Sequence, residues 1–227
     1  MTTSYIEQPG CLTWEQLREL QNTYSWEIGS HTVNHYELPL LQKQQIIYEI
    51  NNARDILIGQ GLYVTSFATP FGAYNNEVLI QSAKTHNLHR GFWDRDYLNT
   101  YPYDKTVIAT QSVDLGVSVA QVKAWVDQAV SENRWLVLVF HEVLPETEMD
   151  PDYLYTTTVS DFTEISEYIK SRSLEVVLPN FTLHKVGNNL FTSQSFVNGI
   201  TQGWTTNSPM QVLQDIANNG NYPSPNE

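Results

Sequence analysis

The sequence is poor in cysteine and in basic residues. Cys11 is the only cysteine among 227 residues, which excludes an intrachain disulfide and a thiolate-rich metal site. Lysine and arginine total 12 against 25 aspartate and glutamate residues, which gives a formal net charge of −13. Because so acidic a surface repels phosphate groups, we expect no nucleic-acid partner and no attraction to anionic lipid.

Long apolar runs and a secretion signal are also absent from the printed sequence. The longest apolar run, Trp135–Phe140, is far too short to span a bilayer, so we expect no membrane insertion. The first residues lack the basic start and apolar core of a signal peptide. Apolar residues nevertheless make up 41% of the chain and aromatic residues 12%, which is typical of a folded domain.

The hydrophobic pattern alternates between helical and strand periods. Residues able to cap a helix precede four of the predicted helices: Thr13, Asn75, Ser118 and Ser160. A fifth helix carries an apolar stripe at helical spacing, formed by Ile46, Ile50, Ala53 and Leu57. Short runs of strand length lie between the helices: 26–29, 64–68, 88–93, 106–109, 135–140 and 174–178. This alternation predicts an α/β fold with a parallel sheet, and spacing alone leaves open whether the sheet closes into a barrel.

Two pairs of histidines have metal-ligand spacing. His31 and His35 stand four residues apart, directly after a predicted strand. If Ser30 caps a helical turn there, both imidazoles project from one side and can share a metal. The alternative is two surface histidines at this spacing by chance. His86 and His89 are three apart and form either a second metal pair or, as we favour, part of a solvated face.

Two further predicted strands end in groups suited to a site. His141 directly follows the strand 135–140 and is either an orienting core residue or an acid–base group. In the segment 67–74, Pro70 fixes the backbone and Gly72 permits close approach, so the loop can present Phe71 to a ligand. The alternative for this segment is an ordinary turn. Sites in parallel α/β folds gather at such strand ends.

In their order along the chain, three motifs resemble the polysaccharide deacetylase family (NodB-homology domain, carbohydrate esterase family 4). They are the segments 29–35, 67–74 and 136–143, and the similarity extends from about residue 4 to residue 186. The resemblance implies a distorted (β/α) barrel and a divalent metal, most often zinc. It also implies a hydrolase that removes N-acetyl or O-acetyl groups from a polysaccharide of the N-acetylglucosamine type, located outside the cell or in its envelope.

The resemblance also assigns roles to residues. His31 and His35 match the metal-binding histidines, Phe71 matches the residue whose backbone N–H helps to hold the oxyanion, and His141 matches the general acid. The implied chemistry is a metal-activated water, a stabilised oxyanion and a proton donated to the departing amine. The residues expected to contact substrate are Pro70, Tyr74, Trp93 and Arg95.

Two departures from the family pattern stand out. No two aspartates are adjacent in the sequence, whereas the family's first motif is an Asp-Asp pair that supplies the general base and a third metal ligand. We therefore expect the domain to lack its first one or two strands and, through the exposed edge, to form a homodimer or be unstable alone. Candidate replacement carboxylates are Asp94, Asp96 and Glu142. Ala68 stands where many members carry an arginine, for which Arg95 is expected to compensate.

The chain is expected to divide into a deacetylase-like domain over 1–187 and a tail over 188–227. The tail is rich in Asn, Thr, Ser, Gly and Pro, and is either a linker or the truncated start of an accessory β-sandwich module. Two functions stay open: a metal-dependent deacetylase, or an inactive glycan-binding or structural remnant of that fold. A third possibility is an incomplete reading frame whose full-length parent is active.

Overall fold

The computed structural model describes residues 1–91, 97–179 and the backbone of 209–214. Its helices are α1 Trp14–Asn22, α2 Lys43–Gly59, α3 Asn76–Thr85, α4 Val119–Glu132 and α5 Val159–Ser171. Its strands are β1 Ser66–Ala68, β2 Leu88–Arg90, β3 Leu98–Asn99, β4 Gln111–Ser112, β5 Trp135–Phe140, β6 Glu142–Leu144, β7 Thr156–Thr158, β8 Glu175–Val176 and β9 Pro209–Gln214. Trp93, Arg95, Asp94, Asp96 and most of the predicted tail lie outside the described residues.

Parallel pairing dominates the sheet. β1 pairs with β2, and β4 pairs with β5. β5 also pairs with β9, and β9 pairs with β8. All four pairings are parallel. Single parallel bridges extend this order, from Ser30 to Phe67 and from Arg90 to Ile108. β3 lies antiparallel on β5, and β6 forms a separate parallel pair with β7. The fold is therefore α/β with helices between parallel strands, as predicted. Closure into a barrel, the domain boundary and the homodimer stay predictions.

Three of the four predicted capping residues begin a helix in the structure. Thr13 and Gln16 form the reciprocal capping box before α1, and the side chains of Asn75 and Ser118 cap α3 and α4. The predicted cap at Ser160 is wrong. The Thr158 hydroxyl accepts the hydrogen bond from the Asp161 backbone N–H at 2.8 Å, so α5 begins earlier and includes Ser160.

The predicted strands 26–29 and 106–109 do not form. A single bridge lies next to the first, at Ser30, and one lies within the second, at Ile108. In 26–29, the N–H of Trp26 bonds back to Leu20 at the end of α1, and pairing with β1 begins only at Ser30. In 106–109, the side-chain amide of Asn99 both accepts from the Ala109 N–H and donates to the Ala109 carbonyl, each at 2.9 Å. The Asn99 side chain thus takes the place of a neighbouring strand. Local sequence patterns do not predict such a long-range contact.

The core lies around β5, whose six residues are all buried. This confirms the prediction of a strand covered on both faces. The predicted apolar stripe of α2 is also buried, and so are the inward residues of α4 and α5: Val122, Val126, Ala129, Ile165 and Ile169. Over the described ranges, no helix combines the length and apolarity needed to cross a membrane.

Candidate functional site

The candidate side chains follow the carboxyl ends of strands or bridges that pair in parallel. His31 follows the bridge residue Ser30, Phe71 follows β1, Asp114 follows β4 and His141 follows β5. Sites in parallel α/β folds gather at such strand ends. The candidate residues of all three motifs therefore have the position along their strands that such a site requires.

The two candidate metal ligands contact each other. The ring centroids of His31 and His35 are 4.7 Å apart in an edge-to-face arrangement, and both residues are buried. Nδ1 of His31 lies 2.7 Å from the carbonyl oxygen of Ala68. Since a carbonyl only accepts, Nδ1 must donate, which places the lone pair of the neutral ring on Nε2. Such a bond on the opposite nitrogen is typical of metal-binding histidines.

The predicted helical turn between these histidines is wrong. Thr32 and His35 have φ of 69° and 60°, so the segment is a tight loop containing two residues in the left-handed region. The Thr32 hydroxyl accepts a hydrogen bond from the His35 backbone N–H at 2.9 Å. The rings therefore meet because the backbone turns sharply, and not because of helical spacing.

A buried carboxylate on α2 contacts this loop. Oε2 of Glu49 accepts hydrogen bonds from the N–H groups of Val33 at 2.9 Å and Asn34 at 2.8 Å. Oε1 accepts a third bond from the Asn34 side-chain amide at 2.6 Å. Sequence reasoning missed this residue. The available signal was a glutamate placed on the apolar stripe, three residues after Ile46 and four before Ala53.

The candidate oxyanion residue lies beside the histidine pair. Phe71 occupies a 3₁₀ turn, Pro70–Gly72, with φ of 57° and ψ of 9°. Its side chain is 58% exposed, and its ring centroid is 4.8 Å from that of His35. Two of the predicted substrate contacts lie in the described residues. Pro70 is buried, and the Tyr74 ring packs edge-on against His89 at 5.5 Å.

His141 lies between an acidic and an aromatic side chain. Its Nδ1 is 3.5 Å from Oδ1 of Asp114, and the same oxygen accepts a 2.6 Å hydrogen bond from the Ser112 hydroxyl. The Tyr155 ring centroid is 5.0 Å from that of His141. Asp114 was missed from the sequence because β4, the strand that places it, is only two residues long.

The expectation of a solvated face for His86 and His89 is wrong. Both side chains are buried and both rings pack against Phe67, at centroid distances of 5.3 and 5.6 Å. Nδ1 of His89 donates to the Thr106 carbonyl at 2.8 Å. Burial lowers the pKa of each imidazole from 6.5 to about 4. These histidines are therefore neutral packing groups in the interior at physiological pH.

The donor set fits part of a zinc site. His31 and His35 offer imidazole nitrogens, which are preferred zinc ligands. Three or more His, Cys, Asp or Glu side chains grouped to hold a metal do not occur within the described ranges. Glu142 is thus not grouped with the two histidines, and its backbone N–H bonds to the Tyr155 carbonyl in the β6–β7 region. The histidine pair would offer two nitrogen donors, one fewer than the three protein ligands of a catalytic zinc site.

The first two motifs, 29–35 and 67–74, lie within the range that a known family matches. A family model described as polysaccharide deacetylase matches residues 1–90. Among solved structures, the Streptococcus pyogenes deacetylase PplD in complex with acetate is 24% identical, with a TM-score of 0.41 over 48% of this chain. A polysaccharide deacetylase from Bacillus cereus is 18% identical, with a TM-score of 0.48 over 55% of this chain. The chain covers only 48% and 39% of the lengths of these two proteins. No curated protein matches it significantly.

Proposed function

From the polysaccharide deacetylase family model that matches residues 1–90, we propose that the chain removes acetyl groups from a polysaccharide in a metal-dependent hydrolysis. The observation that carries this proposal is the pair of buried imidazoles at 4.7 Å, one of them held by a backbone carbonyl at a strand end. Buried histidines need partners or a function, and this geometry suits shared coordination of a cation.

In this proposal His31 and His35 hold a divalent metal, zinc being the best match to two nitrogen ligands. When bound, such a metal polarises an acetyl carbonyl and lowers the pKa of a water molecule. The third ligand and the general base are assigned to carboxylates, for which Asp94 and Asp96 remain candidates outside the described residues.

The chain's own groups supply the remaining steps. His141 donates a proton to the departing amine, and Asp114 orients its ring through Nδ1. The backbone N–H of Phe71 is the proposed oxyanion donor. Its left-handed backbone supports this role, because such strain in a residue with a side chain is typical of functional sites.

The proposed substrate is a neutral or cationic glycan of the N-acetylglucosamine type. The net charge of −13 disfavours anionic polymers. The exposed ring of Phe71 beside His35 offers an apolar surface to a sugar, and so does Tyr155, which is 44% exposed. Trp93 and Arg95 stay candidate substrate contacts, and an extracellular or envelope location stays a proposal from the family.

Acetate release from N-acetylglucosamine oligomers tests this function. We expect release that requires added zinc, stops with a chelator and is abolished by His31→Ala. Glu167→Gln, an exposed change on α5, is the control and should keep the rate of the unaltered protein. Release that persists in the chelator, or in His31→Ala, would contradict the assignment.

A second candidate is an inactive glycan-binding protein of the same fold. It is favoured by the presence of only two grouped ligands in the described part of the chain. This candidate predicts binding of the oligomers, seen as shifts in tryptophan fluorescence, with no acetate release at any zinc concentration. Release of acetate by the purified chain would exclude it.

A further inference from the structure

We propose that Glu49 is a positioning residue for the metal pair: its carboxylate fixes the loop between His31 and His35 so that both rings can bind one divalent cation. The inference rests on the proposed function. It adds a residue on a different element, α2, whose carboxylate bonds to the intervening residues Val33 and Asn34.

The hydrogen bonds of this carboxylate all go to the two residues before His35. Glu49 is only 2% exposed, yet both of its oxygens are used, by the Val33 and Asn34 backbone N–H groups and by the Asn34 amide. A buried carboxyl group is costly unless its oxygens are hydrogen-bonded, and three donors meet that need here. These bonds attach two successive residues of the loop to α2.

The loop needs such an attachment because its backbone is strained. Thr32 and His35 both adopt left-handed conformations, which residues with side chains hold only where neighbouring contacts fix them. The Thr32 hydroxyl supplies one fixing contact within the loop. Glu49 supplies the others from outside the loop.

Glu49 can act as an anchor because α2 is packed into the core. Ile46, Ile50 and Ala53, on the same side of the helix, are all no more than 2% exposed. The position of the carboxylate is therefore set by the packed core. Without it, the buried N–H of Val33 loses its acceptor, the loop relaxes, and the separation of the two imidazoles is no longer fixed.

Zinc affinity measured by competition with a chromophoric chelator tests the proposal. Glu49→Met keeps the shape but removes every acceptor, and we expect about a tenfold to hundredfold loss of zinc affinity. Glu49→Gln keeps one oxygen for the two backbone N–H groups, and Asn34 can turn its amide to meet the new NH₂ group. We expect a clearly smaller loss for this variant.

Leu57→Ala is the matched control. It removes a fully buried side chain from the same helix, on the part that packs with Leu17 and Leu62, away from the loop. We expect it to lower the melting temperature at least as much as Glu49→Met while leaving zinc affinity unchanged, when measured well below the unfolding transition.

Three results would overturn the positioning role. They are zinc affinity unchanged in Glu49→Met, an equal loss in Glu49→Gln, which would assign the effect to charge, and an equal loss in Leu57→Ala, which would assign it to global stability. A protein that binds no zinc in its unaltered form would instead contradict the metal part of the proposed function. Faster hydrogen exchange of the Val33 and Asn34 amides in Glu49→Met would support the role independently of activity.

Discussion

Acidification from pH 7.5 to pH 5 should destabilise the protein through two buried histidines. His86 and His89 pack against Phe67, and burial lowers the pKa of each from 6.5 to about 4. Arg54 lies close enough to His86, and Arg90 to His89, to disfavour a second positive charge further. Below pH 6.5 the unfolded chain therefore takes up protons that the native state excludes, and stability falls as the pH drops towards about 4.

The size of the effect follows from these pKa values. At pH 5, each histidine moved from 6.5 to about 4 lowers the free energy of unfolding by about 2 kcal/mol. Together they account for about 4 kcal/mol, a large share of the roughly 5–15 kcal/mol that holds a typical domain folded. Above pH 7.5 both groups are neutral in either state, so their contribution is constant there.

Urea unfolding followed by tryptophan fluorescence at pH 7.5, 6 and 5 measures this dependence. A chelator is kept in every sample so that metal release from His31 and His35 does not add to the slope. The comparison is with His86→Asn/His89→Asn, in which a side-chain amide replaces each ring and can still donate near Nδ1. We expect this double variant to be less stable at pH 7.5 but to lose about 4 kcal/mol less on acidification. Equal losses in the two proteins would refute the reasoning.

Three further substitutions test the site and the packing. Asp114→Asn should lower kcat for acetate release by at least about tenfold, within the roughly 10²–10⁴-fold that a general acid supplies, with KM little changed; an unchanged kcat would remove Asp114 from the mechanism. Gly91→Ala should cost about 1–3 kcal/mol of unfolding free energy in urea, because its Cβ would lie 2.8 Å from Cε1 of Tyr74. Gly59→Ala meets no atom within 4 Å and should stabilise by up to about 1 kcal/mol; a loss as large as that of Gly91→Ala would contradict the steric argument.

The helices could be predicted because their determinants are local. The Thr13–Gln16 capping box and the apolar stripe of α2 both act within a few residues, and both are present in the structure. Ser160 shows the limit of such reasoning. Two residues able to cap stand close together, and the one that the end of β7 holds in extended conformation, Thr158, forms the cap.

The sequence pattern predicted that His31 and His35 lie together, but not the geometry of the loop that joins them. His31 and His35 do meet, yet the loop that joins them is held by Glu49, which is distant in sequence and reaches it from another element. His141 likewise acquires its partner Asp114 through the pairing of β4 with β5. These relations depend on tertiary contacts, which spacing along one segment does not contain.

The burial of His86 and His89 was missed for a related reason. Polar residues near the end of a helix usually face solvent, and this expectation was kept although His89 falls within the predicted strand 88–93. Their environment is decided by Phe67 of the neighbouring strand, whose ring provides an apolar surface for both imidazoles.

Two neighbouring residues of the short strand β1 contact two different groups of histidines. Phe67 contacts the acid-sensitive histidines, and the carbonyl of the next residue, Ala68, fixes the ring of His31. A displacement of β1 would therefore change the packing of His86 and His89 and the position of the His31 ring together. Proton uptake by His86 or His89 would thus disturb the ring of His31 in the proposed metal site, although neither histidine belongs to that site. The lower pH limit of the proposed metal binding would then depend partly on the position of a three-residue strand.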